Sequence, residues 1–383
     1  MDDILILGGG VIGLSLAYEL AGQGVRVHLL ERQEPGREAS WAGAGILPAA
    51  PRANLNGSHD QLAALSHDLH PQWAARLKEE TGLDTGFRRC GGVYVARNVP
   101  EAELLQAAAQ LWRDQQISVE TLNESTLAEL EPAVASAPCG RAIQLALLLA
   151  GDCQLRNPRH LKALALACQR RGARITSGVP AEGFEIRGGR VRDVRSPCGT
   201  FAAEAICVTS GSWSGALLAQ LGIRTQLKPV RGQIVLLLAD RPTLRRVVNE
   251  GARYLVPRDD GRVLVGSTEE DAGFDKRTTA EGVAGLLRLA VDLVPQLAAA
   301  QLERAWAGLR PATVDRLPLL GRVRGLDNAF VATGHFRSGL YLSTGTAVAM
   351  SQLIRGETPA VDLEPFRVDR PSVTQEPGTA NYA

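Results

Sequence analysis

Aromatic residues are scarce, 4% of 383 residues, and the few present are not interleaved with basic ones. That leaves little with which to stack nucleic-acid bases. The formal net charge is only +1, so neither a polyanionic nor a polycationic partner is implied. No long hydrophobic run exists; the longest, around Ala142 to Ala150, is too short to cross a bilayer. The start, Met1-Asp2-Asp3, is acidic where a secretory segment would be basic, and glycines cut the first apolar run short. A soluble, cytoplasmic protein is expected. Six cysteines are present, none in a C-x-x-C pair, and a disulfide scaffold is not expected in so large a cytoplasmic chain. His67 and His70, with His59 nearby, read as a solvated helix face rather than a metal site.

What is present in quantity is glycine, 40 residues, and its placement at the start of the chain is informative. Ile4 to Leu7 reads as a buried parallel strand. Gly8, Gly10 and Gly13 follow with the spacing G-x-G-x-x-G, then a helical pattern from Val11 to about Ala21. A second apolar strand, Val25 to Leu30, ends at the acid Glu31. This is the βαβ dinucleotide fingerprint in its expected context. Gly8 permits the tight turn, Gly10 lets backbone approach a pyrophosphate, and Gly13 lets helix and strand pack closely. The helix N-terminus offers free N–H groups and partial positive charge to phosphates. Glu31 can accept from ribose hydroxyls and would repel a 2′-phosphate, so FAD or NAD fits better than NADP.

After this unit the small-residue stretch Glu38 to Ala49 could let backbone approach a flat ligand. Residues 60–81 read as a helix interrupted by Pro71, and a strand pair is expected from near Thr85. The α/β pattern returns at Asn157, with Gly188-Gly189 as a hairpin turn. Ser210 to Gly215 resembles an esterase nucleophile elbow, but Trp213 occupies the nucleophile position, which rejects serine hydrolysis. From Pro229 a new run of antiparallel strands begins, and Trp306 to Pro311 is expected to lead back to the first domain. A strand, Ala329 to Thr333, then meets a glycine-bounded loop at a helix start, Gly334 to Gly339. The fold class expected is α/β with an α+β second domain. A Rossmann-like FAD-binding domain (1–85, 141–224, 306–370) is interleaved with an antiparallel-sheet substrate domain (86–140, 225–305), and a polar tail, 371–383, is expected to be disordered.

Several motifs in fixed order carry a family resemblance: GGGVIG with Glu31-Arg32, SWAGAGIL, YLVPR…GRVLVGST, WAGLRP, GHFRSGLYLSTGT and PFRVDR. Over about residues 4 to 370 the chain resembles the D-amino-acid oxidase superfamily, and most of all the bacterial glycine oxidases of thiazole (thiamine) biosynthesis. The resemblance implies FAD. Residues matching Val11, Ile12, Glu31 and Arg32 hold its ADP half. Those matching Ser40, Ala44, Gly45 and Ile46 lie along the pyrophosphate and flavin, and Ala181 contacts the adenine end. The loop Gly334, His335, Phe336, Arg337, Ser338, Gly339 and Leu340 lies against the pyrimidine edge of the flavin. No cysteine follows Cys207, and Trp41 stands beside Ser40 where one covalent relative has histidine. Non-covalent FAD is therefore expected.

For substrate, the resemblance assigns Arg310 to the carboxylate, Tyr254 to the same carboxylate through its hydroxyl, and Arg337 to a second place near the pocket. Glu269 falls where some relatives carry an apolar pocket residue; facing the pocket it would favour an amine-bearing or polar substrate. No side chain is assigned as catalytic acid or base. The implied reaction is oxidation of glycine, sarcosine or a small D-amino acid by hydride transfer to flavin N5, with oxygen reoxidising the flavin and giving hydrogen peroxide. Two alternatives stand beside it: a D-amino-acid dehydrogenase serving a quinone, and a non-catalytic flavin-binding partner subunit. A homo-oligomer is left open.

Overall fold

The computed structural model describes residues 2–55, 57–135 and 143–374. Two eight-stranded sheets organise them. In the first, Asp2–Leu7 lies between Val27–Glu31 and Gly199–Val208, parallel to both. Arg174–Ser177 extends one side in parallel, and Ala329–Thr333 the other. The antiparallel Leu319–Arg322 closes that second side, and the hairpin Gly183–Arg187/Arg190–Ser196 hangs from Gly199–Val208. The central strands are buried on both faces, which is why they read as unbroken apolar runs.

The helix Val11–Gly22 is buried along almost its whole length. It packs against the helices Asn157–Arg170 and Ser343–Ile354. Ser343–Ile354 in turn packs on Ser58–Thr81, which runs straight through Pro71. The expected interruption is absent although proline forfeits one backbone bond. The turn before it is anchored instead: His70 Nε2 lies 2.8 Å from the Tyr341 carbonyl and His67 Nε2 3.1 Å from that of Gly151. Both histidines are buried, so the solvated face expected of them is not what the helix presents. No group of residues able to hold a metal occurs among the described residues.

The second sheet runs Gln301–Ala312, Lys228–Leu238, Arg262–Gly266, Arg253–Pro257, Val247–Glu250, Gly92–Ala96, Leu145–Leu149, Glu120–Leu122. All neighbours are antiparallel except Val247–Glu250 and Gly92–Ala96. Four local expectations are corrected here. Trp306 to Pro311 does not leave this sheet, because it belongs to a twelve-residue strand paired with Lys228–Leu238. Leu145–Leu149, expected with the first domain, also pairs into the second sheet. Residues from Thr85 reach a strand only at Gly92. Pro371–Thr374, expected in a disordered tail, forms a short helix with Val373 buried, while 375–383 lie outside the described residues. No helix among the described residues is long and apolar enough to cross a membrane.

Candidate active site

A cavity of about 690 Å³ opens where the first sheet's central strands end and the second sheet begins. Ligands in open α/β sheets collect at the carboxyl ends of strands, where the strand order reverses. Asp2–Leu7 is that place here, since its two neighbours leave in opposite directions.

The fingerprint glycines stand in close quarters. Gly8 has φ +120°, and a Cβ on it would lie 2.8 Å from the Thr209 carbonyl oxygen. A Cβ on Gly13 would lie 2.0 Å from the Gly8 carbonyl oxygen; Gly13 thus serves helix–strand packing and does not line the cavity. Gly8, Gly10, Val11 and Ile12 do line it. Glu31 is buried, and its two oxygens accept from the N–H groups of Gly9 (2.7 Å) and Gln33 (3.0 Å). Each carboxylate oxygen keeps a further lone pair for a ribose hydroxyl. Ser40 does more than was read from the sequence, because its Oγ accepts from the Val11 N–H at 2.9 Å and so bonds the first turn of the helix. Asn157 Nδ2 donates to the Ser40 carbonyl at 2.7 Å, tying this loop to the helix Asn157–Arg170.

Arg32 lines the cavity, pairs with Glu38 at 2.7 Å, and lies 3.6 Å over the Trp213 ring. Ala44, Gly45, Ile46 and Ala181 also line it, as does the loop Gly334 to Leu340. In that loop a short turn, Phe336–Ser338, precedes the helix that starts at Ser343. His335 is fully enclosed; its Nε2 lies 3.2 Å from Thr346 Oγ1, and burial pushes its pKa down to about 3. It is a neutral imidazole.

The far wall belongs to the second sheet. Arg310 folds over Gly232 on the neighbouring strand, where a Cβ would lie 2.1 Å from its guanidinium. The guanidinium donates to Ser267 Oγ at 2.6 Å and to the Thr268 carbonyl at 3.2 Å. No carboxylate lies within salt-bridge distance of it among the described residues. Burial lowers its pKa, and neighbouring Tyr254 opposes that shift. The Tyr254 ring lies over Gly266, where a Cβ would come within 2.6 Å of it. Both side chains line the cavity.

A family model described as DAO, FAD dependent oxidoreductase, matches residues 3–353. The chain belongs to that family. Among its curated relatives is a glycine oxidase of Pseudomonas aeruginosa, 36% identical, covering 95% of this chain and 98% of the relative. A glycine oxidase of Geobacillus kaustophilus is 36% identical over 96% of this chain and 97% of its own. The solved structure of glycine oxidase from Geobacillus kaustophilus superposes with a TM-score of 0.91 at 34% identity, covering 96% of this chain and 98% of that one.

This member of the FAD-dependent oxidoreductases carries a site that fits FAD. The acid Glu31 and the helix start, whose Gly10, Val11 and Ile12 line the cavity, suit the adenosine ribose and the phosphates. The small residues Ala42, Gly43, Ala44 and Gly45 leave backbone open to a flat ring system. Asn249 Nδ2 is buried without a hydrogen-bond partner, on a residue that lines the cavity. A buried donor of this kind asks for an acceptor. Asn249 was not singled out from the sequence, nor were Gly232, Gly266 and Ser267. Only the motif GRVLVGST ran through Gly266 and Ser267.

Glu269 is the exception among the expected site residues of this oxidoreductase. It is exposed and does not line the cavity. Its carboxylate lies 3.7 Å from Arg337 and 3.9 Å from Arg316, at the rim. Its loop turns outward after the strand Arg262–Gly266, and from the rim its charge acts on Arg337 and, over a longer distance, on Arg310. Arg337 lines the cavity and donates to the Ala252 carbonyl at 2.8 Å.

Proposed function

We propose that this oxidoreductase oxidises glycine or another small amino acid, such as sarcosine or a small D-amino acid, to the imino acid. One observation carries the reading: the Arg310 guanidinium, walled by protein yet open to the cavity, has no carboxylate partner of its own. A cation withdrawn from water is costly unless compensated. A substrate carboxylate, gripped by the planar fork, supplies that compensation. Tyr254, beside it, offers its hydroxyl to the same carboxylate.

The flavin, when bound, supplies the hydride acceptor. The chain's residues bind and orient. Arg310 and Tyr254 fix the carboxylate, and so the direction of the Cα–H bond. Ser267 and Thr268 hold Arg310 in place through the two bonds above. The acids that line the cavity are Glu31, Glu38 and Glu182, all on first-domain segments. None stands on a strand carrying Arg310 or Tyr254, which suits a substrate amine that binds already neutral and needs no side-chain base. Ala44, Gly45, Ile46 and the loop Gly334 to Leu340 hold the flavin, and Val11, Ile12, Glu31, Arg32, Ser40 and Ala181 hold its ADP half. The flavin is held without a covalent bond, since no cysteine stands among the lining residues and His335 is enclosed against Thr346.

The test is anaerobic. Glycine added to the yellow holoenzyme should bleach the flavin, and air should restore it with release of hydrogen peroxide. Bleaching without recovery in air would assign a dehydrogenase serving another acceptor. No bleaching by glycine, sarcosine, D-alanine or D-proline would refute the substrate class. Acid precipitation should leave the flavin in the supernatant.

A further inference from the structure

A second concavity, about 220 Å³, shares no lining residue with the first. Four arginines wall it, Arg88, Arg156, Arg159 and Arg258, together with Asp259 and Asp260 from the hairpin tip between Arg253–Pro257 and Arg262–Gly266. Four guanidiniums face two carboxylates, so positive charge is in excess.

The members differ in burial. Arg258 is only 7% exposed. Its hydrogen bonds go to neutral acceptors: Gln154 Oε1 at 2.6 Å, the Leu155 carbonyl at 3.1 Å and the Ala44 carbonyl at 2.7 Å. It makes no ion pair among the described residues. Burial, then the charges of Arg156 and Arg88, push its pKa down to about 9, against a weaker pull from Asp260. By contrast, Asp259, paired with Arg88, is 75% exposed. Asp260, 2.7 Å from Arg156 and 3.2 Å from Arg262, is 37% exposed. Exposed pairs like these contribute little and exchange easily.

The helix Asn157–Arg170 begins at the same wall. Arg156 is its N-cap residue, no side chain caps it, and its first turn holds no acid. The first-turn position that usually carries an acid is taken by Arg159. Guanidinium forks thus meet around one buried cation without a counter-charge. A single carboxylate could satisfy one fork; a tetrahedral dianion can accept from several.

We propose that this pocket binds a small phosphate-bearing anion, a phosphate monoester dianion, and that Asp259 and Asp260 occupy Arg88 and Arg156 in its absence. The site stands independently of the amino-acid reading above.

The experiment is titration calorimetry on the holoenzyme at constant ionic strength, with inorganic phosphate and with ribose 5-phosphate. Arg258 is left intact, because it also holds the Ala44 carbonyl. One-to-one saturable binding is expected. Arg156→Gln with Arg159→Gln should weaken it at least about tenfold. Asp259→Asn with Asp260→Asn should tighten it several-fold, an effect in the opposite direction to any loss of folding. No saturable heat would overturn the proposal. So would binding that survives the arginine changes, binding weakened by the aspartate changes, or binding abolished by Arg310→Ala, which would put the anion in the large cavity.

Discussion

Replacing Gly232 with alanine tests the site without touching a polar group. The new Cβ would stand 2.1 Å from Arg310 Nη1 and 2.2 Å from Nη2. The guanidinium is the free end of a flexible chain, so it must swing away while the strand pairing of Gly232 with Gly308 persists. Swinging away breaks its bonds to Ser267 and Thr268 and moves the fork off the place proposed for the substrate carboxylate. A hydrogen bond to a charged group is worth about 1.5–3 kcal/mol. Steady-state kinetics should therefore show kcat/KM for glycine falling about 10- to 150-fold, mostly through KM. Bound flavin, held by the other wall, should be retained in full. Arg310→Ala should fall at least as far, and the double variant should add little to it, because both changes remove one interaction. A Gly232→Ala enzyme with full flavin and kcat/KM within twofold of the parent would refute the placement of Arg310 and with it the carboxylate reading.

Other consequences follow from the same geometry. Gly13→Ala should abolish flavin binding or soluble expression, since its Cβ would meet the Gly8 carbonyl at 2.0 Å; normal flavin content would contradict the packing account. Glu269→Met should lower KM for amino acids with a side-chain carboxylate by no more than about fivefold, the scale of an exposed ion pair, as the rim loses a negative charge beside Arg337; unchanged preference would remove Glu269 from specificity. His160 is buried, both ring nitrogens lack partners, and burial lowers its pKa from 6.5 to about 3. A lowered histidine pKa means that the unfolded chain binds the proton first. Stability is then lost as pH falls below about 6.5, at about 1.4 kcal/mol per pH unit for one group. His160→Leu should flatten the fall of the unfolding free energy between pH 6 and pH 4 by about 1.4 kcal/mol per pH unit, read by denaturant titration. Asp152 runs the other way. Burial raises its pKa to about 6, so its contribution declines as pH rises from about 4 to 6, and Asp152→Asn should raise Tm more at pH 7 than at pH 4.

Much of this was legible along the chain because it depends on neighbours in sequence. The fingerprint from Ile4 to Glu31 places strand, turn, helix and acid within one βαβ unit, and local patterning alone determines that half of the cavity. The glycine oxidase-like motifs marked the positions of Arg310 and Tyr254 as well. Other features depend on pairing between distant segments. Trp306 to Pro311 was misplaced because strand register, not composition, assigns it to the second sheet. His67 and His70 were read as solvated because burial of a helix face is decided by what packs upon it, here segments distant in sequence that bring the Gly151 and Tyr341 carbonyls to them. Gly232 gives Arg310 its room only because the strands register one against the other. Glu269 turned to the rim, Asn249 was left without a partner, and four arginines separated in sequence met at one hairpin tip. The sequence by itself determined that the first domain takes a dinucleotide cofactor, since the short-range spacing of one βαβ unit encodes it. Tertiary structure alone decided which side chains face one another across the cavity, since that is set by non-local strand pairing and packing.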